Sequence, residues 1–236
     1  MIDSSSVDGE EVESRISVND TGALRASTRF RQRRQRLFRP LRESLQRWRE
    51  YSELSGADAI ARRAFANNSF DGILTMVGVV MGSFVVGVRD ATVVLITGLS
   101  TALAIGISGG WGAYLAESAE RSHEIAELEK NTLTDLHSTK IGKAARSAVV
   151  TVAAVDGLSP FLAAFIVVIP FFFASLLPSI DYAFYASLGM ALLCLFGLGV
   201  YLASVSKENK IIYGAKTAVA GVACMALTLL MERLSG

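Results

Sequence analysis

Residues 149–177 read VVTVAAVDGLSPFLAAFIVVIPFFFASLL, with a single charged side chain, Asp156. About 20 mostly apolar residues carry a helix across the hydrocarbon core of a bilayer, and this run exceeds that. Four more runs of the same kind flank it, at about residues 70–88, 92–116, 182–204 and 211–231. Backbone polar groups in lipid must be satisfied within their own segment, which makes these runs helices. A barrel would show short alternating strands instead. The expected fold is an all-α membrane protein with five transmembrane helices and a helical cytoplasmic extension between the second and third.

Composition agrees with that class. Of the 236 residues 51% are hydrophobic and 19% charged, against about 25% charged in soluble domains. The charges are bunched in residues 1–68 and 117–146. The net charge of +1 averages a basic and an acidic segment, so it says little about partners. Cys194 and Cys224 lie in apolar runs with no zinc or haem spacing, as small buried hydrophobes do. The first 20 residues are polar and acidic, without the apolar core of a signal peptide.

Three regions follow. Residues 1–27 are Ser-, Asp- and Glu-rich and are expected to be disordered. Residues 28–56 form a basic amphipathic juxtamembrane segment, in which arginines recur between Phe30, Leu37, Phe38, Leu41, Leu45 and Trp48. Such a stretch suits an anionic leaflet. An arginine run also suits nucleic acid, but the bilayer explains it without a second partner, so no nucleic acid is expected. Residues 57–236 form the five-helix domain with its cytoplasmic insert, 117–146.

Short loops orient the chain through their Lys/Arg bias. Arg62 and Arg63 precede the first span, Lys140, Lys143 and Arg146 the third, and Lys207 and Lys210 lie between the fourth and fifth. With five spans all of these fall on one side. The N-terminus and residues 117–146 are therefore expected in the cytoplasm and the C-terminus outside it. The connections between spans one and two and between three and four are very short, which makes each pair antiparallel neighbours.

Two carboxylates fall within the spans. Asp71 follows Arg63 by eight residues, about 12 Å along a helix, and Asp156 follows Arg146 by ten. Each precedes a glycine, an echo that suggests a weak internal repeat. Carboxylates at such depth are costly and point to function; the alternative is a helix cap at the wet interface. Asp71, Thr75, Gly78 and Gly82 share one helix face, all small or polar, which suits close helix contact. Span two has a similar ridge: Gly98, Ala102, Gly106, Gly109 and Ala113. Two such faces packed together around a carboxylate would make a polar pathway, or merely tight packing. Beyond span two, Glu117, Glu120, Glu124 and Glu127 line one face with His123 beside them. Carboxylate and imidazole suit Fe²⁺, Mn²⁺ or Zn²⁺; a solvated acidic face is the alternative. Met76 and Met81 are read as packing, and Lys216 as a snorkelling cation.

Two segments, Asn68-Ser69-Phe70-Asp71-Gly72-Ile73-Leu74-Thr75-Met76-Val77-Gly78 and Gly110-Trp111-Gly112-Ala113-Tyr114-Leu115-Ala116-Glu117-Ser118-Ala119-Glu120, resemble in turn the first span and the end of the second span in the vacuolar iron transporter (yeast-type calcium cross-complementer) family. The likeness extends from about Arg63 to Gly236. It implies a homodimer that moves Fe²⁺ or Mn²⁺ out of the cytoplasm in exchange for protons, with the metal as cargo and no tightly bound cofactor. It gives Asp71 a place in the pathway at the dimer interface, and Glu117, Glu120, Glu124 and Glu127 the task of collecting metal. At Gly109 this chain departs from the plant members, which carry a pathway methionine there, and Thr101 replaces a glutamate. The chain thus looks like a divergent, prokaryotic branch, expected in a plasma membrane. Asp156 is added as a pathway residue and His123 as a metal ligand on the strength of position alone. A non-transporting membrane scaffold is the rival reading. An enzyme is not expected, since no Ser/His/Asp or His-rich constellation lies in the spans.

Overall fold

The computed structural model describes residues 56–136 and 138–235. The polar tail and nearly all of the basic segment lie outside the described residues, as do His137 and Gly236. Five helices run through the chain: α1 (Ala57–Val85), α2 (Ala91–Thr132), α3 (Lys140–Phe172), α4 (Ile180–Ser206) and α5 (Lys210–Ser235), with a 3-10 turn, Ala174–Leu176, after α3. All five are long and apolar enough to cross a membrane, and no strand occurs among the described residues. The protein is an integral, multi-pass membrane protein.

Side chains set several of the boundaries. Asp90 accepts from the Thr92 amide at 2.8 Å, Ser179 from that of Asp181 at 3.1 Å, and Asn209 from that of Ile211 at 3.0 Å. Each satisfies an amide that the first helical turn leaves unpaired. α1 begins well before the apolar run, because Ala57–Asn68 contains good helix formers and no Gly or Pro, with Asp58 in the first turn. α2 continues past its apolar part as one 42-residue helix, so the acidic insert extends the second span as its composition predicts. From Glu117 to Thr132 the extension rises about 23 Å. It stops where Leu133 takes a left-handed conformation, φ 54°.

α3 is the hub, in close contact with α1 and α2 and also touching α4. Lipid supplies no hydrophobic drive for helices to associate, so close backbone approach must. Gly157 of α3 provides it toward α2: a methyl group there would sit 2.8 Å from the Gly106 carbonyl oxygen and 3.1 Å from the Gly110 Cα. Gly72 of α1 provides it on another side, where a Cβ would fall 2.4 Å from the Pro160 carbonyl oxygen. Below these contacts Met76, Val80, Val94, Val167, Phe171 and Phe184 fill the core. Phe171 and Phe184 meet edge-on at 5.0 Å. Ser187 of α4 donates to the Val167 carbonyl at 2.6 Å, and Thr217 of α5 to that of Leu195 at 2.7 Å. At the end of the bundle away from the extension, Arg89 pairs with Asp181.

The expected facing of two glycine-lined helices is corrected in one respect. The α2 ridge at Gly106, Gly109 and Gly110 packs on α3, not on the Asp71 face of α1. That face is left open: a Cβ added at Gly78 or Gly82 meets nothing within 4 Å. α1 turns Gly72 toward α3, and Asp71, one residue away, necessarily points elsewhere.

Gly157→Ala is expected to destabilise the detergent-solubilised protein by about 1–3 kcal/mol, the usual cost of overpacking. Gly197→Ala, at a lipid-facing site with nothing within 4 Å of the new methyl, should leave the thermal midpoint the same or higher. Equal midpoints for the two variants would contradict α3 as the hub.

Candidate functional site

α1 and α3 both enter the bundle from the end that carries the extension, and they lie parallel and in step. Asn68 pairs with Asp156 and, one turn further in, Gly72 meets Pro160. α2 runs the opposite way. Since every Cα–Cβ bond tilts toward its helix N-terminus, the side chain of Glu117 leans inward while those of Asp156 and Asn68 lean outward. Antiparallel packing thus brings side chains from different depths to one level.

They converge on a cavity of about 420 Å³ lined by Arg63, Asn67 and Asn68 of α1, Ala113, Ala116, Glu117 and Glu120 of α2, and Val152 and Asp156 of α3, among others. Asn68 Nδ2 donates to Asp156 Oδ1 at 2.7 Å. Glu117 accepts from Arg121 Nε at 2.8 Å, both side chains being largely covered, at 15% and 14% exposure. The same guanidinium reaches Glu124 Oε2 at 2.9 Å through Nη1. Around the cavity itself the carboxylates outnumber the one lining cation, Arg63, by three to one. A cleft with that balance raises the local concentration of cations.

The residues singled out from the sequence separate into groups. Asp156, Glu117 and Glu120 are brought together at the cavity. Glu124 is tied to Arg121, and His123 and Glu127 are exposed on the extension. Asp71 is exposed on the free face of α1, with Thr75, Gly78 and Gly82 partly exposed along the same stripe. Among the described residues no helix covers that stripe at Gly78 or Gly82, so Asp71 is not tucked between the described helices. Gly109 does not line this cavity. A Cβ there would lie 2.8 Å from the Asp156 carbonyl oxygen, the very oxygen whose helical N–H partner Pro160 removes. A methionine at this place would collide with α3. Thr101 returns its hydroxyl to the Thr97 carbonyl at 2.8 Å, and Met76 and Met81 are buried.

Among the described residues no three His, Cys, Asp or Glu side chains form a ready-made metal cluster. The cavity is an acidic vestibule, not a cage. Asn68 and Arg63 are its members that residue chemistry alone did not single out. The available signal was spacing: Asn68 stands one turn before Gly72, on the face that touches α3.

The echoed Asp-Gly pairs have parallel uses. Gly72 and Gly157 are both helix-contact points. Their aspartates differ, Asp156 turning into the cavity and Asp71 to the outside of the chain.

Comparison with known proteins agrees with this architecture. A sequence profile of the VIT family matches residues 63–140 and 130–233, all five helices included. An uncharacterized protein of Methanocaldococcus jannaschii is 33% identical over 174 residues, covering 72% of this chain and 88% of the relative. The chain therefore belongs to the VIT family, a family of transporters.

Proposed function

We propose that this protein is a membrane metal-ion transporter that moves Fe²⁺ or Mn²⁺ out of the cytoplasm in exchange for protons. The observation that carries the reading is the shared cavity of Asp156, Glu117 and Glu120, which joins the base of the acidic extension to a carboxylate inside the bundle. In this reading the extension faces the cytoplasm, as the loop cations favour. Its glutamates draw divalent cations toward the vestibule. Glu117 is held by Arg121, so an arriving cation competes with a guanidinium, which keeps binding shallow enough for release. Oxygen and amide donors suit hard and borderline divalent ions.

Asp71 is the second station. Its stripe, with Thr75, Gly78 and Gly82, has the small-residue character of a membrane helix interface. A second copy of α1 packed there would cover two Asp71 carboxylates related by a twofold axis. Metal and proton compete for the same carboxylate oxygens, so protonation from the far side discharges the cation.

Four outcomes are expected. In proteoliposomes Asp156→Asn lowers Mn²⁺ and Fe²⁺ uptake about tenfold or more, the size of a lost charge-assisted contact, and the double variant Glu117→Gln, Glu120→Gln raises the half-saturating concentration. Full uptake by Asp156→Asn would remove the vestibule from the route. Asp71→Asn abolishes flux without altering the thermal midpoint; retained flux would strike Asp71 from the mechanism. In a Cys194→Ala, Cys224→Ala background, Gly78→Cys gives a disulfide-linked dimer on mild oxidation, since bridged Cα atoms must lie within about 7 Å. A chain that stays monomeric under those conditions leaves Asp71 without its second copy.

A further inference from the structure

We propose that Asn68 is a positioning residue: its amide holds the Asp156 carboxylate so that one oxygen is tied and the other is presented to an incoming divalent cation. The proposal rests on the vestibule as the metal-loading site. An ionised carboxylate only accepts hydrogen bonds, so the amide must offer its NH₂ group, as it does across 2.7 Å from Nδ2 to Oδ1. The span between the two side chains is fixed by backbone. One turn deeper, Gly72 lies so close to Pro160 that no Cβ fits between them, and this close approach of α1 to α3 brings Asn68 within reach of Asp156.

The chemistry of the donor matters as much as its place. A lysine or arginine at position 68 would also orient Asp156, but its charge would oppose the cation. An amide orients the carboxylate and leaves its charge available. The charged groups around Asp156 are Arg63 on α1 and Glu117 and Glu120 on α2. With Glu117 engaged by Arg121, Asp156 is the cavity carboxylate held by a neutral donor.

Equilibrium Mn²⁺ binding to the purified full-length protein, read from the electron paramagnetic resonance of free Mn²⁺, tests this. Asn68→Leu, close to isosteric but without a donor, is expected to weaken binding about tenfold. Asn68→Gln, which keeps the amide, should recover most of the loss. In an Asp156→Ala background Asn68→Leu should change affinity by no more than about twofold, the limit for residues acting through one contact. Unchanged affinity in Asn68→Leu, equal losses in Leu and Gln variants, or an undiminished loss in the Asp156→Ala background each overturn the positioning role while the loading site stands. Parental affinity in Asp156→Ala removes the loading site, and the positioning role with it.

Discussion

In hydrocarbon, helices gain nothing by hiding apolar side chains from water, so this bundle depends on how near two backbones can come. Gly157 and Gly72 set that distance on two sides of α3. The contacts there are carbonyl oxygens and Cα atoms with no side chain between, the geometry in which weak Cα–H···O interactions recur. Hydroxyls then join α4 to the hub, Ser187 to Val167, and α5 to α4, Thr217 to Leu195. α5 is held mainly by α4, and most of its surface is left to lipid.

Close approach also explains where the acidic groups meet. Gly109 and Gly110 let α2 lie against Asp156 and Gly157, which brings the Glu117 side of α2 over the Asp156 side of α3. Were these helices spaced by ordinary side chains, the carboxylates would be separated and the vestibule would open to lipid. Pro160 contributes twice, by exposing the Asp156 carbonyl to the α2 contact and by presenting its own carbonyl to Gly72.

Much of this was legible in the residues. Hydropathy fixed the number of helices, and the unbroken helix-forming sequence after Ala116 fixed the continuation of α2, because each depends on local composition. The partner of each glycine face was not legible. Small residues announce that something packs closely, and both α1 and α2 carry such faces; which meets which depends on the whole arrangement. Hence the ridge of α2 was expected near Asp71 and lies on Gly157 instead. Asn68 was passed over for a related reason: an amide in a helix has no visible purpose until the chain 88 residues later brings Asp156 beside it. Asp156 itself was legible as a costly charge in an apolar run, though not that it would share a cavity with Glu117.

The 42-residue length of α2 has a mechanical consequence. Its outer portion carries Glu120, Glu124 and Glu127, its base carries Glu117, and the rod lies along α3 as far out as Ile125, which is buried. A tilt of about 10° about the outer end of that seat would swing a tip about 10 Å away by about 2 Å. Loads felt by the outlying part, whether from ions, lipid headgroups or a neighbouring molecule, are thereby transmitted as torque to the seam between α2 and α3, where the vestibule lies.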